Sequence, residues 1–96
     1  MNTQESLSTT SIIVRSAGIL SSKVDSETIL LGMEKSRYYG MVSTGSRIWD
    51  LLSSPISIGR IIDILVQEYD IEREQCMAEV VSFLAELLSE HLIDVK

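Results

Sequence analysis

The stretch that constrains this chain most is a strand that runs directly into a helix, between residues 37 and 52. Residues 37–42, Arg-Tyr-Tyr-Gly-Met-Val, combine aromatic and apolar residues without helical spacing, which indicates an extended segment. The period changes at Ser43, and the following apolar residues fall on one helix face beside Trp49. These apolar residues are Ile48, Leu51 and Leu52. Ser43 is the predicted N-cap, because its hydroxyl can accept a backbone N–H of the first turn. The junction is a scaffold and carries no obvious catalytic group.

Short extended segments precede this junction. The alternation over residues 19–24 and the apolar run 28–33 predict two further strands beside 37–42. Three-residue turns between the strands favour an antiparallel meander. The apolar patch at 12–14 could pair at a sheet edge.

Three helices are predicted from Ser43 onward. The first ends where Pro55 removes a backbone donor and disfavours helical geometry at the preceding residue. Ser57 is the predicted N-cap of a second helix that runs to about Tyr69, and the third runs from about Arg73 to His91. Apolar residues of the third helix fill an arc of about 160°, whereas covering a core on one side needs a stripe only somewhat wider than about 100°. The surplus indicates either burial on two sides or an exposed apolar strip for a partner.

Composition limits the class of protein. A chain of 96 residues is long enough for one domain, which we place at 12–96 after a mobile tail at 1–11 that is rich in serine and threonine. Fourteen Asp and Glu face eight Lys and Arg, and this net charge of −6 disfavours nucleic acid as a partner. No apolar run approaches the roughly 20 residues of a membrane span, and no secretory signal opens the sequence. We therefore expect a cytoplasmic protein without a membrane partner.

Few residues could carry chemistry. His91 is the one histidine, so no histidine pair can hold a metal, and its place at a helix end suits a structural role. Cys76 is the one cysteine, which excludes an internal disulfide, and its apolar neighbours are typical of a buried small side chain. The carboxylates of the third helix favour a solvated face, and the isolated glycines form no phosphate loop. We expect no enzyme activity, no metal and no cofactor.

The order of elements predicts an α+β fold, a three-stranded antiparallel sheet followed by three helices, with a winged helix-turn-helix-like arrangement. Such folds often bind DNA. The second helix, however, carries one basic residue, Arg60, together with Asp63 and Glu68, so a winged-helix DNA-binding regulator is the weaker interpretation. A structural subunit of an enzyme complex is a further alternative.

Several short motifs keep a fixed order and spacing along residues 12–96. They are Thr28-Ile-Leu-Leu31, Tyr38-Tyr-Gly-Met41, Gly45-Ser-Arg-Ile-Trp49, Leu51-Leu52, Ser57-Ile58, Tyr69-Asp70, Val80–Leu84, Leu87-Leu88 and Leu92-Ile93. Together they resemble the PqqD-like family. Three positions depart from the family pattern: Met41 replaces a leucine, Val42 replaces an asparagine, and His91 replaces a glycine after the last helix, where a left-handed backbone is convenient.

The resemblance implies a RiPP precursor peptide recognition element, most like the stand-alone leader-binding proteins of lasso peptide pathways. It implies that the protein binds the leader segment of a ribosomally made precursor peptide. It further implies delivery of that leader to a cysteine-protease leader peptidase and to a cyclase. The implied mode is β-augmentation, in which the leader adds as a strand to the edge formed by residues 37–42.

The binding site implied by this mode has two walls. The strand supplies Arg37, Tyr38, Tyr39, Gly40, Met41 and Val42. The third helix supplies an apolar wall of Cys76, Val80, Phe83 and Leu87, while Met77, Val81, Leu84 and Leu88 are expected to face the core. Arg73 and Glu79 flank this wall and could orient a charged leader residue. The alternative for the two tyrosines is that they simply cover the edge of the core.

Overall fold

The computed structural model describes residues 7–24, 27–32, 37–41 and 43–96. Within them the chain forms six strands and three helices. In chain order these are β1 (Ile12–Arg15), β2 (Ile19–Val24), β3 (Glu27–Gly32), β4 (Arg37–Met41), α1 (Ser43–Leu51), β5 (Ile56–Ser57), α2 (Ile58–Glu68), α3 (Arg73–Ser89) and β6 (Ile93–Val95). The α+β class and the placement of β2, β3 and β4 before the three helices are as predicted, whereas β5 and β6 follow α1 and α3.

Strands β2, β3 and β4 form the predicted antiparallel meander. β3 lies in the middle, with Leu20 opposite Leu31 on one side and Tyr38 opposite Leu31 on the other. β4 therefore lies at an edge of this sheet. Met33 and Val42, which the sequence placed at strand ends, lie outside the described residues.

A second sheet joins three distant parts of the chain in the order β5-β1-β6. Ile13 of β1 pairs with Ile56 on one side and with Val95 on the other, and it is completely buried. The prediction of a sheet edge at residues 12–14 is wrong, because β1 is the central strand. Its partners β5 and β6 are only two and three residues long, too short to show a period of their own.

The segment just ahead of β1 packs against the start of α2. The carbonyl oxygen of Thr9 accepts a hydrogen bond from the backbone N–H of Gly59 at 2.9 Å, and that of Ser11 accepts from Ile58 at 3.0 Å. A Cβ atom on Gly59 would lie 3.2 Å from the Thr9 oxygen, so this approach favours glycine. Contacts with the helices thus already occur ahead of residue 12, the predicted start of the domain, and Leu7 is buried in the core. The rest of the predicted tail, residues 1–6, lies outside the described residues.

The helices follow the predicted bounds closely. The hydroxyl of Ser57 accepts the backbone N–H of Arg60 at 3.1 Å, which confirms the predicted N-cap of α2. α1 begins at Ser43, where the sequence period changes. α3 ends at Ser89, two residues before the predicted end, and His91 then adopts the left-handed backbone that its family position implies, with φ 61°.

The core lies between the three helices and β1. Trp49 of α1 is 1% exposed. Its fully buried neighbours are Ile13, Leu52, Ile58, Ile61, Ile62, Leu65, Val80, Leu84, Leu87 and Ile93. The meander attaches to this core through contacts between β3 and α1, including a buried hydrogen bond between the hydroxyls of Thr28 and Ser46. No helix in the described part of the chain is both long and apolar enough to cross a bilayer.

Candidate peptide-binding site

The outer edge of β4 is the first component of the site. β4 pairs with β3 on one side, and no other described strand pairs with it. Alternate residues of an edge strand direct backbone N–H and C=O groups away from the sheet, where an added strand can bond to them. The side chains of Arg37, Tyr38, Tyr39, Gly40 and Met41 lie outside the described ones, as does Val42, so their predicted contacts with a peptide stay predictions.

A cleft of about 230 Å³ adjoins the end of this strand. It is lined by Thr44, Leu65, Tyr69, Asp70, Ile71, Cys76, Glu79 and Val80. Thr44 of α1 follows the last residue of β4 by three positions, and the rest of the lining comes from α2, the α2–α3 loop and α3. Its floor is apolar, because Leu65, Cys76 and Val80 are at most 2% exposed. This volume suits one peptide side chain better than a free ligand, since small-molecule pockets usually exceed about 300 Å³.

A second, more open cleft of about 510 Å³ continues along α3. It is lined by Ala78, Glu79, Ser82, Phe83 and Glu86. Phe83 is half-buried and packs against the core with one part of its ring. Glu79 borders both clefts, so together they form one path along this side of α3.

The path is acidic along its described lining. Asp70, Glu79 and Glu86 contribute carboxylates, and no cation belongs to the described lining. The amide of Gln75 donates to Glu79 at 3.1 Å. Two nearby arginines form ion pairs with residues that line neither cleft. Arg47 pairs with Glu68 at 2.6 Å, and Arg73 pairs with Asp63 at 2.6 Å.

Cys76 contributes shape and apolar surface to the floor. Burial raises the pKa of its thiol, Glu79 raises it further, and Arg73 opposes the shift. The thiol is therefore protonated at neutral pH, and a protonated thiol is a poor nucleophile. Among the described residues no group of three potential metal ligands occurs. The arrangement can hold an extended peptide and one of its side chains.

The structure brings together part of the α3 wall predicted from sequence. Cys76 and Val80 line the first cleft, Phe83 lines the second, and Glu79 borders both. Leu87 is completely buried and lines neither cleft. Arg73 also lines neither, because its guanidinium bonds to Asp63 of α2.

The predicted division of α3 into a peptide-facing strip and a core-facing strip is wrong. Cys76, Val80 and Leu87, assigned to the exposed strip, are core residues. Of the predicted core strip only Leu84 is fully buried, whereas Met77 is 40% exposed and two members are half-buried. These two are Val81 and Leu88. The reason is that the core covers the middle of the apolar arc, where Cys76, Val80, Leu84 and Leu87 lie, so its two margins are the parts left more exposed.

Sequence reasoning missed the contribution of α1, α2 and the α2–α3 loop. Thr44, Leu65 and Ile71 enter the cleft only because three helix ends converge. The sequence predicts the end of a helix at about Tyr69, but it does not predict that Tyr69 and Asp70 line a cleft. Their place just beyond the C-terminus of α2 was the one available signal.

These features define a class: a small α+β domain with an open sheet edge beside a cleft that suits a peptide. The chain belongs to the PqqD family, since the family model for coenzyme PQQ synthesis protein D (PqqD) matches residues 27–93. The match runs from β3 into β6 and includes both clefts. It confirms the resemblance found in the sequence motifs. Among curated protein sequences, none matches this chain significantly.

Solved structures share the fold over most of their length. TbiB1 in complex with the TbiA(beta) leader peptide superposes with a TM-score of 0.80 at 30% identity, covering 84% of this chain and 94% of that one. Lasso peptide synthetase B1 complexed with the leader peptide gives 0.77 at 18% identity, covering 85% and 96%. The PqqD truncation of Methylobacterium extorquens PqqCD, a stand-alone RiPP recognition element, gives 0.77 at 19% identity, covering 92% and 94%. The last two likenesses establish the fold alone.

Proposed function

We propose that this protein is a RiPP recognition element that binds the leader of a lasso peptide precursor and has no catalytic role. The observation that carries the proposal is the open edge of β4 beside an apolar-floored cleft. The 30% identity to TbiB1, whose structure holds a leader peptide, supports it.

The leader binds as an added strand on β4. Main-chain hydrogen bonds to Arg37–Met41 supply affinity that depends little on leader sequence. Selectivity comes from a leader side chain that enters the cleft over Cys76 and Val80, and from contacts along Phe83. A leader that is disordered when free loses conformational entropy on binding, so moderate affinity is expected.

The bound leader is delivered to a cysteine-protease leader peptidase and a cyclase. This part of the proposal is supported by the family's implied role. It predicts that the protein accelerates cleavage of the precursor by the peptidase at low substrate concentration, when capture of the leader limits the rate. Equal cleavage rates with and without the protein would contradict delivery while leaving leader binding intact.

The experiment that tests leader binding is a calorimetric titration with two kinds of synthetic leader, that of TbiA(beta) and that of any short precursor peptide that sequencing finds next to the gene. We expect saturable one-to-one binding to at least one leader. Proline at successive leader positions should weaken binding wherever it removes a main-chain donor that faces β4. No heat with either leader would favour a structural subunit of an enzyme complex instead.

A matched pair of variants locates the site on α3. Phe83→Gln alters the margin of the apolar arc that lines the second cleft, whereas Met77→Gln alters the opposite, 40% exposed margin. We expect only Phe83→Gln to weaken leader binding, with circular dichroism showing both variants folded. Equal effects of the two variants would place the leader elsewhere.

A further inference from the structure

We propose that the first cleft selects leaders that carry a lysine or arginine within two residues of the apolar side chain it holds. This inference rests on the proposed leader binding and adds a charge rule to it. The residues responsible for this selectivity are Asp70 and Glu79 at the mouth of the cleft. Neither residue takes part in the proposed β-strand pairing.

The cleft combines an apolar floor with a negative mouth. Leu65, Cys76 and Val80 form the floor, while Asp70 and Glu79 are exposed at the rim. An aliphatic or aromatic side chain suits the floor, because burial removes its surface from water. The two carboxylates stay in water and can pair with a cation beside that side chain.

The end of α2 adds to the negative potential at the same place. The helix ends at Glu68 with Tyr69 as its C-cap, and its last turn contains no basic residue. The C-terminus of a helix carries a partial negative charge, and Asp70 follows it directly. Arg47 of α1 and Arg73 of α3 lie near the cleft, and each is paired with a carboxylate, Arg47 with Glu68 and Arg73 with Asp63. Charge complementarity therefore favours a basic leader segment.

Strand geometry limits how far along the leader the basic residue can lie from the apolar side chain in the cleft. In an extended peptide, side chains two residues apart lie on one face and about 7 Å from each other. A lysine or arginine at that distance from the buried side chain can reach a rim carboxylate with its flexible stem. An aspartate or glutamate there would meet like charge at the same place.

The test compares two variants of equal net charge. In the first variant, Asp70→Lys and Glu79→Lys reverse the sign of the charge at the mouth of the cleft. In the second, Glu74→Lys and Asp94→Lys make the same charge change at exposed positions that line neither cleft. Random 15-residue peptides on phage are selected against the native protein and both variants. The best binder of each is then titrated as a synthetic peptide at low and high salt.

We expect peptides selected by the native protein and by the Glu74/Asp94 variant to carry lysine or arginine beside an apolar residue. The Asp70/Glu79 variant should select aspartate or glutamate at those positions. Exchanging the basic residue for glutamate should weaken binding to the native protein about tenfold, and this difference should shrink at high salt.

Two results would overturn the inference, and they are distinguishable. If all three proteins select the same peptides without a charge preference, the charge rule is wrong and the leader-binding proposal stands. If no peptide is enriched and the TbiA(beta) leader also fails to bind, both proposals fail.

Discussion

Arg15 links the first strand to the end of the first helix. Its Nε and Nη2 atoms donate to the carbonyl oxygen of Trp49 at 3.2 and 2.7 Å. Its guanidinium also lies over the Trp49 ring, 4.6 Å from the centroid. The last turn of α1 contains no basic residue, so Arg15 brings a cation to the negative end of that helix from a distant part of the chain.

Replacing Arg15 with alanine should lower the free energy of unfolding by about 2 kcal/mol, because a charge-assisted hydrogen bond and a cation–π contact are lost. Arg15→Lys should lose less, since it keeps the charge but not the two-pronged donor. Urea denaturation of both variants measures this. An alanine variant as stable as the native protein would show that the contact contributes nothing.

His91 adopts a backbone conformation that favours glycine. Its φ is 61°, and it follows the end of α3. The N–H of His91 donates to Leu88 and that of Leu92 donates to Leu87, each at 3.0 Å, which forms a Schellman motif. The turn directs the chain into β6, so the strain of a non-glycine residue is offset by these bonds.

His91→Gly should raise the free energy of unfolding by about 1 kcal/mol, because glycine occupies the left-handed region without the Cβ clash. His91→Ala is the control, since it removes the imidazole and keeps the Cβ atom. Thermal unfolding should therefore show a higher midpoint for the glycine variant alone. A matching gain in the alanine variant would instead implicate the imidazole.

At the scale of elements, one buried pair of hydroxyls connects the meander to the helices. Thr28 of β3 and Ser46 of α1 are 1% and 4% exposed and hydrogen-bond to each other. Each buried hydroxyl therefore has the other as its hydrogen-bond partner. This pair holds the β2-β3-β4 sheet against α1, the helix that contributes Thr44 to the first cleft.

Thr28→Val and Ser46→Ala should each destabilise the protein by about 1–3 kcal/mol, because each leaves one buried hydroxyl without a partner. The double variant should cost clearly less than the sum, since it removes both polar groups. A double-mutant cycle from urea denaturation measures this coupling. Strictly additive losses would contradict a direct interaction.

Helices α1 and α2 are connected by an ion pair whose effect depends on pH. Arg47 donates to both carboxylate oxygens of Glu68, at 2.8 and 2.6 Å. This hydrogen bonding holds the pKa of Glu68 below its ordinary value of 4.5. A carboxyl whose pKa is lowered by folding adds stability above its unfolded pKa and loses it as pH falls through the folded value.

Glu68→Gln should therefore be slightly less stable than the native protein at pH 7. The difference should shrink below about pH 4.5 and vanish once Glu68 is protonated in the folded state as well. The effect is small because the pair is exposed to solvent. Free energies of unfolding measured across this pH range, at constant ionic strength, give the comparison. A difference that grows on acidification would contradict the assigned sign.

At the scale of the whole molecule, the β5-β1-β6 sheet holds together parts of the chain that are far apart in sequence. Ile93 of β6 is 1% exposed and pairs with Arg15, while β5 comes from the middle of the chain. This sheet is complete only when all three segments are present.

Deleting residues 93–96 should abolish cooperative unfolding, because it removes Ile93 from the core and leaves β1 unpaired on one side. Asp94→Asn with Val95→Thr is the matched control, since both side chains are exposed. Urea denaturation followed by tryptophan fluorescence reports on Trp49 in the core. A sharp transition in the truncated chain would show that β6 is dispensable.

The sequence predicts those parts of this molecule whose signal is local. The meander and α2 follow from alternation, turn residues and the Ser57 cap, which lie within a few residues of each other. β5 and β6 were not predicted because two or three residues become strands only through pairing with β1. The site shows the same limit: Glu79 and Phe83 were found from the wide apolar arc of α3, whereas Asp70 and Thr44 join it through the meeting of separate helices.

The pairing of β1 with β6 brings the start of β1 beside the last residue of the described chain. The backbone N–H of Lys96 donates to the carbonyl oxygen of Ile12 at 2.8 Å. Residues 7–96, which include the core residue Leu7, could therefore be grafted into a surface loop of a carrier protein with linkers on both sides, because Leu7 lies only five residues ahead of Ile12. β4 belongs to the other sheet, so the graft points lie on a sheet that does not contain its edge, and such a chimera would carry that edge as an affinity tag.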